Sequence, residues 1–294
     1  MSQHVLAAPA PKRHRRHHVS ASGVTWGSPQ TYLVAVVLIA LCVSPLLYII
    51  VGGFRTNSQI TTNPSGWPDP WVMNNYADVL VSGVFWLEFR NSVISAVSTT
   101  VGAVALGLMA SFVIARYQFR VRNGMYALFA AGLMFPMTVA ITPLFILVKN
   151  LGLGNSLAGV ILPQIAFALP TTVIILVPFL SAIPKELEEA AEIDGASKLG
   201  FFFRMVLPLS LPGVITTGIL AFIGAWNGYM LPLFILNDAS QYTLPLGVQT
   251  FASQYSQNTA GVLAFTSLSM LPALLFFSVF ERRIVGGLTG AVKG

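Results

Sequence analysis

Five of the ten carboxylates in this chain of 294 residues fall between Glu186 and Asp194, although only 9% of its residues are charged. Glu186, Glu188, Glu189, Glu192 and Asp194 alternate there with Ala190 and Ala191, a pattern suited to docking another protein. Acid-base catalysis has little to work with elsewhere. All four histidines, His4, His14, His17 and His18, lie in the N-terminal tail, and Ser95 and Ser111 have no base in the same layer to activate them. No Gly-Lys pair occurs, so the chain has no phosphate-binding P-loop of its own. Cys42 is the single cysteine, which rules out an intramolecular disulfide or a multi-cysteine metal site. Two amides in apolar surroundings, Gln164 and Asn227, are the other groups able to bind something. Asn227 follows Trp226, and an indole beside an amide suits a sugar, with its apolar C–H faces and rim of hydroxyls. Helix packing, with the amides bonded across to neighbouring helices, is the alternative for both.

The elements that must carry these residues are membrane helices. With 55% hydrophobic residues and a mean hydropathy of +0.74, the chain is too apolar for a soluble domain of its size. Six segments reach the roughly 20 residues needed to cross a bilayer: 31–51, 91–115, 124–148, 157–180, 213–236 and 261–280. The chain therefore reads as an all-α integral membrane protein, with a basic tail at 1–30, a six-helix domain over 31–280 containing a charged loop at 184–212, and a short tail at 281–294. Prolines within the spans, Pro136 and Pro143 among them, predict kinks. Every Asp and Glu falls outside the six segments, which removes the buried carboxylates that ion-coupled transporters use. Thirteen of the 16 Lys and Arg residues lie on one side of the spans, and the positive-inside rule makes that side, with both termini, cytoplasmic. The basic run after Lys12 reads as a topology signal near anionic lipid rather than a nucleic-acid site. Segment 31–51 is followed by no small-residue cleavage site, so it reads as an anchor rather than an export signal.

Within the charged loop, Pro184 to Asp194 has the chemistry of a short helix: proline in the first turn, carboxylates early, and Gly195 as a stop. Ile183, Leu187, Ala190 and Ala191 form one narrow apolar stripe whose small centre permits close approach by another protein. A second amphipathic piece runs from Ser197 to Val206, with Phe201, Phe202 and Phe203 placed to anchor at the membrane surface and Leu207-Pro208 and Leu211-Pro212 placed to end it. Tied at both ends to long apolar helices, this loop is a lever. By periodicity alone it is equally a solvated connection.

The spacing Glu189-Ala190-Ala191, Asp194-Gly195-Ala196, Leu207-Pro208-Leu209 and Pro212 resembles the EAA loop of bacterial ABC importer permeases. That resemblance implies a type I importer bundle in which this loop forms coupling helices seated in a cleft of a separate ATPase subunit, where ATP and Mg are bound. The ending ERRIVGGLTGAVKG is similar to that of maltose-type carbohydrate permeases, which implies that Thr289, Gly290 and Lys293 reach the ATPase subunits. Asn91-Ser92, Ala115-Arg116 and Tyr242-Thr243-Leu244-Pro245 fit the same class, whereas Gly228 departs from it, standing where the family usually carries an acidic residue. The implied molecule is a non-catalytic permease subunit of a sugar importer in the bacterial cell membrane, without a cofactor or metal of its own. Its implied partners are a second permease, two ATPase subunits and an extracytoplasmic solute-binding protein, for which the segment Asn237–Ala260 is the expected meeting place. In some such systems the second permease supplies the sugar contacts. The alternative is a secondary transporter or channel subunit with a cytoplasmic regulatory loop.

Overall fold

The computed structural model describes residues 29–254 and 258–292, and all regular structure among them is helical. Helix α1 spans Pro29–Gly52, and two short helices follow, α2 (Asn57–Thr62) and α3 (Asn74–Val81). Next come α4 (Gly83–Arg116), α5 (Arg122–Gly132), α6 (Met137–Asn150) and α7 (Leu157–Ser181). The charged loop holds α8 (Glu186–Ile193) and α9 (Lys198–Phe201), and after it run α10 (Leu207–Trp226), α11 (Met230–Ile235), α12 (Leu244–Gln254) and α13 (Thr259–Val292). The chain divides into two units, residues 1–45 and 46–294. In the first, the described part of α1 leaves Leu33, Val36, Ile39 and Leu41 exposed, as a segment solvated by lipid would. The second unit carries every helix from α2 onward.

Its centre is α4 packed along α7, with α10 against both. Without the hydrophobic effect between helices in lipid, close packing needs small residues at the contact. Gly107 is such a residue, since a Cβ there would collide with Thr172. At one end of the bundle, Asn91 donates through Nδ2 to the carbonyls of Ser240 (2.9 Å) and Tyr242 (3.0 Å), while the Ser92 hydroxyl accepts the Leu244 N–H at 2.7 Å. Ser92 thereby satisfies a free donor in the first turn of α12. The paired motifs Asn91-Ser92 and Tyr242-Thr243-Leu244-Pro245 are thus two halves of one joint. At the same end Asn155, in the left-handed conformation at φ 54, accepts the N–H groups of Asn237 and Asp238, both at 2.9 Å, and ties the start of α7 to the end of α11. Arg55 is buried there too, its guanidinium donating to the carbonyls of Gln59, Asn63 and Pro64. The Ser240 N–H, 2.9 Å from Asp238, holds that exposed carboxyl below its usual range.

Four sequence expectations need correction. Segment 124–148 bends at Pro136 as its prolines predict, but the break is larger than a kink: α5 and α6 meet at 102° where Leu133–Pro136 leaves the helix. Pro136 has no N–H to donate and disfavours helical backbone before it. Among the described residues, five other helices are long and apolar enough to cross a bilayer, and the bent pair makes a sixth if it is one span. The segment Asn237–Ala260 is not an open loop, because Leu244–Gln254 is helical and packs on α4 and α13. Pro208 and Pro212 do not end the second amphipathic piece; Lys198–Trp226 runs as one apolar helix with a π turn at Phe202–Val206. There the Leu207 N–H reaches back to the Phe202 carbonyl, a wider turn that lets Pro208 enter without breaking the helix.

The fourth correction is a carboxylate. Helix α4 begins at Gly83 rather than residue 91 and so carries Glu88, which is 2% exposed. Gly247 of α12 closes over it, and a Cβ at 247 would run into the carboxylate. Gly247→Ala is therefore expected to displace α12 and to destabilise the chain by roughly 1–3 kcal/mol, the usual range for overpacking. Thermal melting of the purified protein in detergent checks it, with an unchanged midpoint as the contrary outcome.

Candidate functional site

The charged loop is built by local rules and then bolted down by distant ones. Helix α8 ends in a Schellman motif: Gly195 takes φ 77, its N–H bonds to the Glu192 carbonyl at 3.0 Å, and the Ala196 N–H bonds to the Ala191 carbonyl at 2.9 Å. Ala196 and Ala191, at the two ends of that second bond, both belong to one apolar cluster. Ser197 then caps α9 by accepting the Gly200 N–H at 3.1 Å. Ile183, Ala191, Phe201 and Val206 are buried against Leu108 of α4 and Leu176 and Leu180 of α7, with Leu187 packed on the same cluster. Arg116, the last residue of α4, donates to Glu188 Oε2 through Nε (3.0 Å) and Nη2 (2.6 Å), and to the Ile183 carbonyl through Nη1 (2.6 Å). Its side chain is 3% exposed, against 25% for Glu188.

This arrangement redraws the predicted contact surface. Ala191 of the stripe faces inward and is covered by the chain's own core, whereas Glu189, Ala190, Asp194 and Gly195 are exposed. Pro208 is exposed and Leu207 half-buried. The aromatic triplet splits, with Phe201 buried, Phe202 half-buried and only Phe203 exposed. Two apolar residues that the sequence reading passed over, Ile193 and Leu199, are 86% and 71% exposed beside Ala190 and Gly195 in the chain. Arg116 was legible as the close of a span, but its partner Glu188 lies 72 residues away and no local pattern links them.

A cavity of about 400 Å³ opens between α4, α7, α10 and the turn before α11. That volume lies in the range of roughly 300–1,000 Å³ typical of small-molecule sites. Gln164, Phe167, Ala168 and Thr171 contribute one helical face of α7, and Thr99, Thr217, Gly228 and Tyr229 come from the other walls. Gln164 is 7% exposed, and its Oε1 accepts from the hydroxyls of Ser95 (3.2 Å) and Thr99 (3.0 Å). The amide is therefore a bonded packing residue that also lines the cavity. Among the described residues the lining holds no Asp, Glu, His, Lys or Arg.

Residues 103–287 match the family model described as "Binding-protein-dependent transport system inner membrane component". The chain belongs to that family. It is 36% identical over 251 residues to the diacetylchitobiose uptake system permease protein NgcG of Streptomyces coelicolor, covering 85% of this chain and 83% of that protein. Against the trehalose transport system permease protein SugB of Mycobacterium tuberculosis it is 36% identical over 256 residues, covering 85% and 92% of the two. Among solved structures, a bacterial ABC transporter involved in the import of the acidic polysaccharide alginate superposes with a TM-score of 0.74 at 20% identity, over 86% of this chain and 94% of that one. That likeness establishes the shared fold.

In this inner membrane permease the remaining predicted site residues are scattered. Helix α10 stops at Trp226, so Trp226 and Asn227 stand at a helix end rather than at mid-span. Trp226 is 3% exposed and stacks on Phe222 with centroids 5.8 Å apart, which makes it a packing residue outside the cavity lining. Asn227 caps α10 and is exposed. Thr289 and Gly290 lie in the last turns of α13. Lys293 and the basic N-terminal tail lie outside the described residues.

Proposed function

We propose that this permease is one of two membrane subunits of an ATP-driven sugar importer, and that the α8 to α9 loop receives the stroke of a separate ATPase. The observation that carries this reading is the triple attachment of α8. Arg116 joins it to α4, the Ile183–Leu180 cluster joins it to α7, and the Gly195 turn leads through α9 and the π turn into α10. These are also the helices that line the cavity. A displacement of α8 therefore moves the walls of the path together, and packed interiors transmit such shifts because they do not deform continuously. Sugar as cargo is supported by the relatives named above, and by a cavity lined with hydroxyls, an amide and aromatic rings. Arg116, Arg122, Lys185, Lys198 and Arg204 gather at the α8 end, which supports reading that end as the cytoplasmic one under the positive-inside rule. The joint of α12 with α4 then faces outward, toward a solute-binding protein. In this assembly ATP and Mg belong to the ATPase pair, and the C-terminal turns with Thr289 and Gly290 run toward it.

The exposed side of α8 is the test. Ala190 makes no contact with the core, so Ala190→Trp leaves the fold intact while filling the space into which an ATPase cleft would close. The expected result is loss of ATPase co-purification and at least about a tenfold fall in ATP-dependent uptake, the effect of roughly 1.4 kcal/mol at the joint. Uptake that persists in the variant without ATP would point instead to a secondary transporter.

A further inference from the structure

Most polar groups on the cavity wall are already engaged within the protein. The Thr99 hydroxyl donates to Gln164 Oε1 at 3.0 Å, the Thr172 hydroxyl to the Ala168 carbonyl at 2.9 Å, and the Thr217 hydroxyl to the Gly213 carbonyl at 3.1 Å. Two groups on the wall have no protein partner among the described residues: the Gln164 Nε2 amide and the Thr171 hydroxyl. They sit seven residues apart on one face of α7, about 10 Å along the axis, with Phe167 between them. Ser95 and Thr99 both hold the amide oxygen, which turns the amide nitrogen toward Gly228. A Cβ at 228 would stand 2.6 Å from that nitrogen, so only glycine leaves the amide where it is.

We propose that this cavity is a binding site for an uncharged saccharide, held by the Gln164 amide N–H and the Thr171 hydroxyl at its two ends with a sugar face against Phe167. The inference rests on the sugar-importer reading above and adds the class of sugar. Both residues line the cavity, and sugar hydroxyls would supply hydrogen-bond partners there to both free groups. A carboxylate or sulfonate in the same place would be desolvated with no cation among the described residues of this chain's wall to face it, an unfavourable burial. Gly228 adds to this by keeping the wall free of any side chain, charged or not.

The test uses the whole transporter, this chain with its companion permease, ATPase and binding protein, in proteoliposomes. Radiolabelled maltose, cellobiose and xylobiose serve as neutral probes and digalacturonate as the acidic one. Uptake of at least one neutral disaccharide without digalacturonate is expected. Gln164→Leu, which removes the amide donor, and Thr171→Val, which preserves shape and breaks no internal hydrogen bond, are each expected to slow neutral uptake about tenfold, the loss due to one or two hydrogen bonds. Gly228→Ala is expected to act like Gln164→Leu by pushing the amide aside. Co-purification of the ATPase with each variant separates a binding defect from failed assembly. Digalacturonate uptake at the neutral rate, or wild-type neutral uptake in both Gln164→Leu and Thr171→Val, overturns this inference and leaves the importer reading standing. A wild-type transporter that accumulates no sugar under any condition overturns both.

Discussion

Arg116→Ala is expected to abolish ATP-driven uptake while the chain still inserts in the membrane. The guanidinium makes two hydrogen bonds to Glu188 and one to the Ile183 carbonyl, and it lies 6.0 Å from the centre of the Phe201 ring. Removing one member of a fully buried ion pair costs about 3–5 kcal/mol. Glu188 keeps 25% of its side-chain surface in solvent, so the expected cost here is nearer 2 kcal/mol. If that energy is what makes α8 and α4 move as one body, its loss weakens coupling by about thirtyfold. The measurement is ATP hydrolysis stimulated by the loaded binding protein, beside uptake in the same vesicles. Hydrolysis that continues without uptake is the signature of a broken link. Arg116→Lys restores charge but not the forked geometry, so it is expected to recover only part of the loss. Full uptake in Arg116→Ala would remove the α4 attachment from the mechanism.

The second large effect is at Gly195, which bends the loop at φ 77 and leaves nothing within 4 Å of an added Cβ. Space is therefore not the obstacle; backbone conformation is. A left-handed residue with a Cβ costs roughly 1–2 kcal/mol, and a β-branched one sits at the upper end. Gly195→Val is expected to open the Schellman turn, release the Ala196 N–H from the Ala191 carbonyl and swing α9 out of register with α8. Uptake should fall at least about tenfold with normal membrane insertion. Gly195→Asn is the decisive companion, because asparagine tolerates the left-handed region, so its uptake should stay within about twofold of wild type. Equal losses in Val and Asn variants would show that the bend is not what matters at this position.

The legible parts of the loop and the illegible ones differ in range. The stop at Gly195 and the early carboxylates of α8 follow from residue type over a few positions, and the folded loop agrees. Ile183, Leu187, Ala190 and Ala191 read as one stripe facing another protein, yet periodicity cannot say which way a stripe faces. Three of its members, Ile183, Leu187 and Ala191, turn inward to the chain's own core and leave Ala190 outside. The prolines misled for a related reason. Pro208 and Pro212 read as terminators, but a π turn leads into Pro208, Pro212 is carried inside the helix, and the helix continues to Trp226. Pro136 does break its span, because the chain there bends by 102°. What separates the two cases is the π turn that precedes Pro208 and has no counterpart among the described residues before Pro136.

Glu88 shows the same limit from the other side. A hydropathy window starting at residue 91 excludes it, yet the buried helix starts earlier because Asn91 and Ser92 are fastened to residues 240–244 and draw that turn into the core. By itself, then, the sequence determined the all-helical membrane class, the long apolar segments, the charged loop and its bend, since hydropathy, charge and backbone preference act over a turn or two of helix. Only the tertiary structure decided that Arg116 meets Glu188, that Ser95 and Thr99 hold Gln164, and that Gly228 leaves room for it. Those contacts join residues far apart in the chain, and a hydrogen bond forms only where packing brings its two partners within about 3 Å of each other.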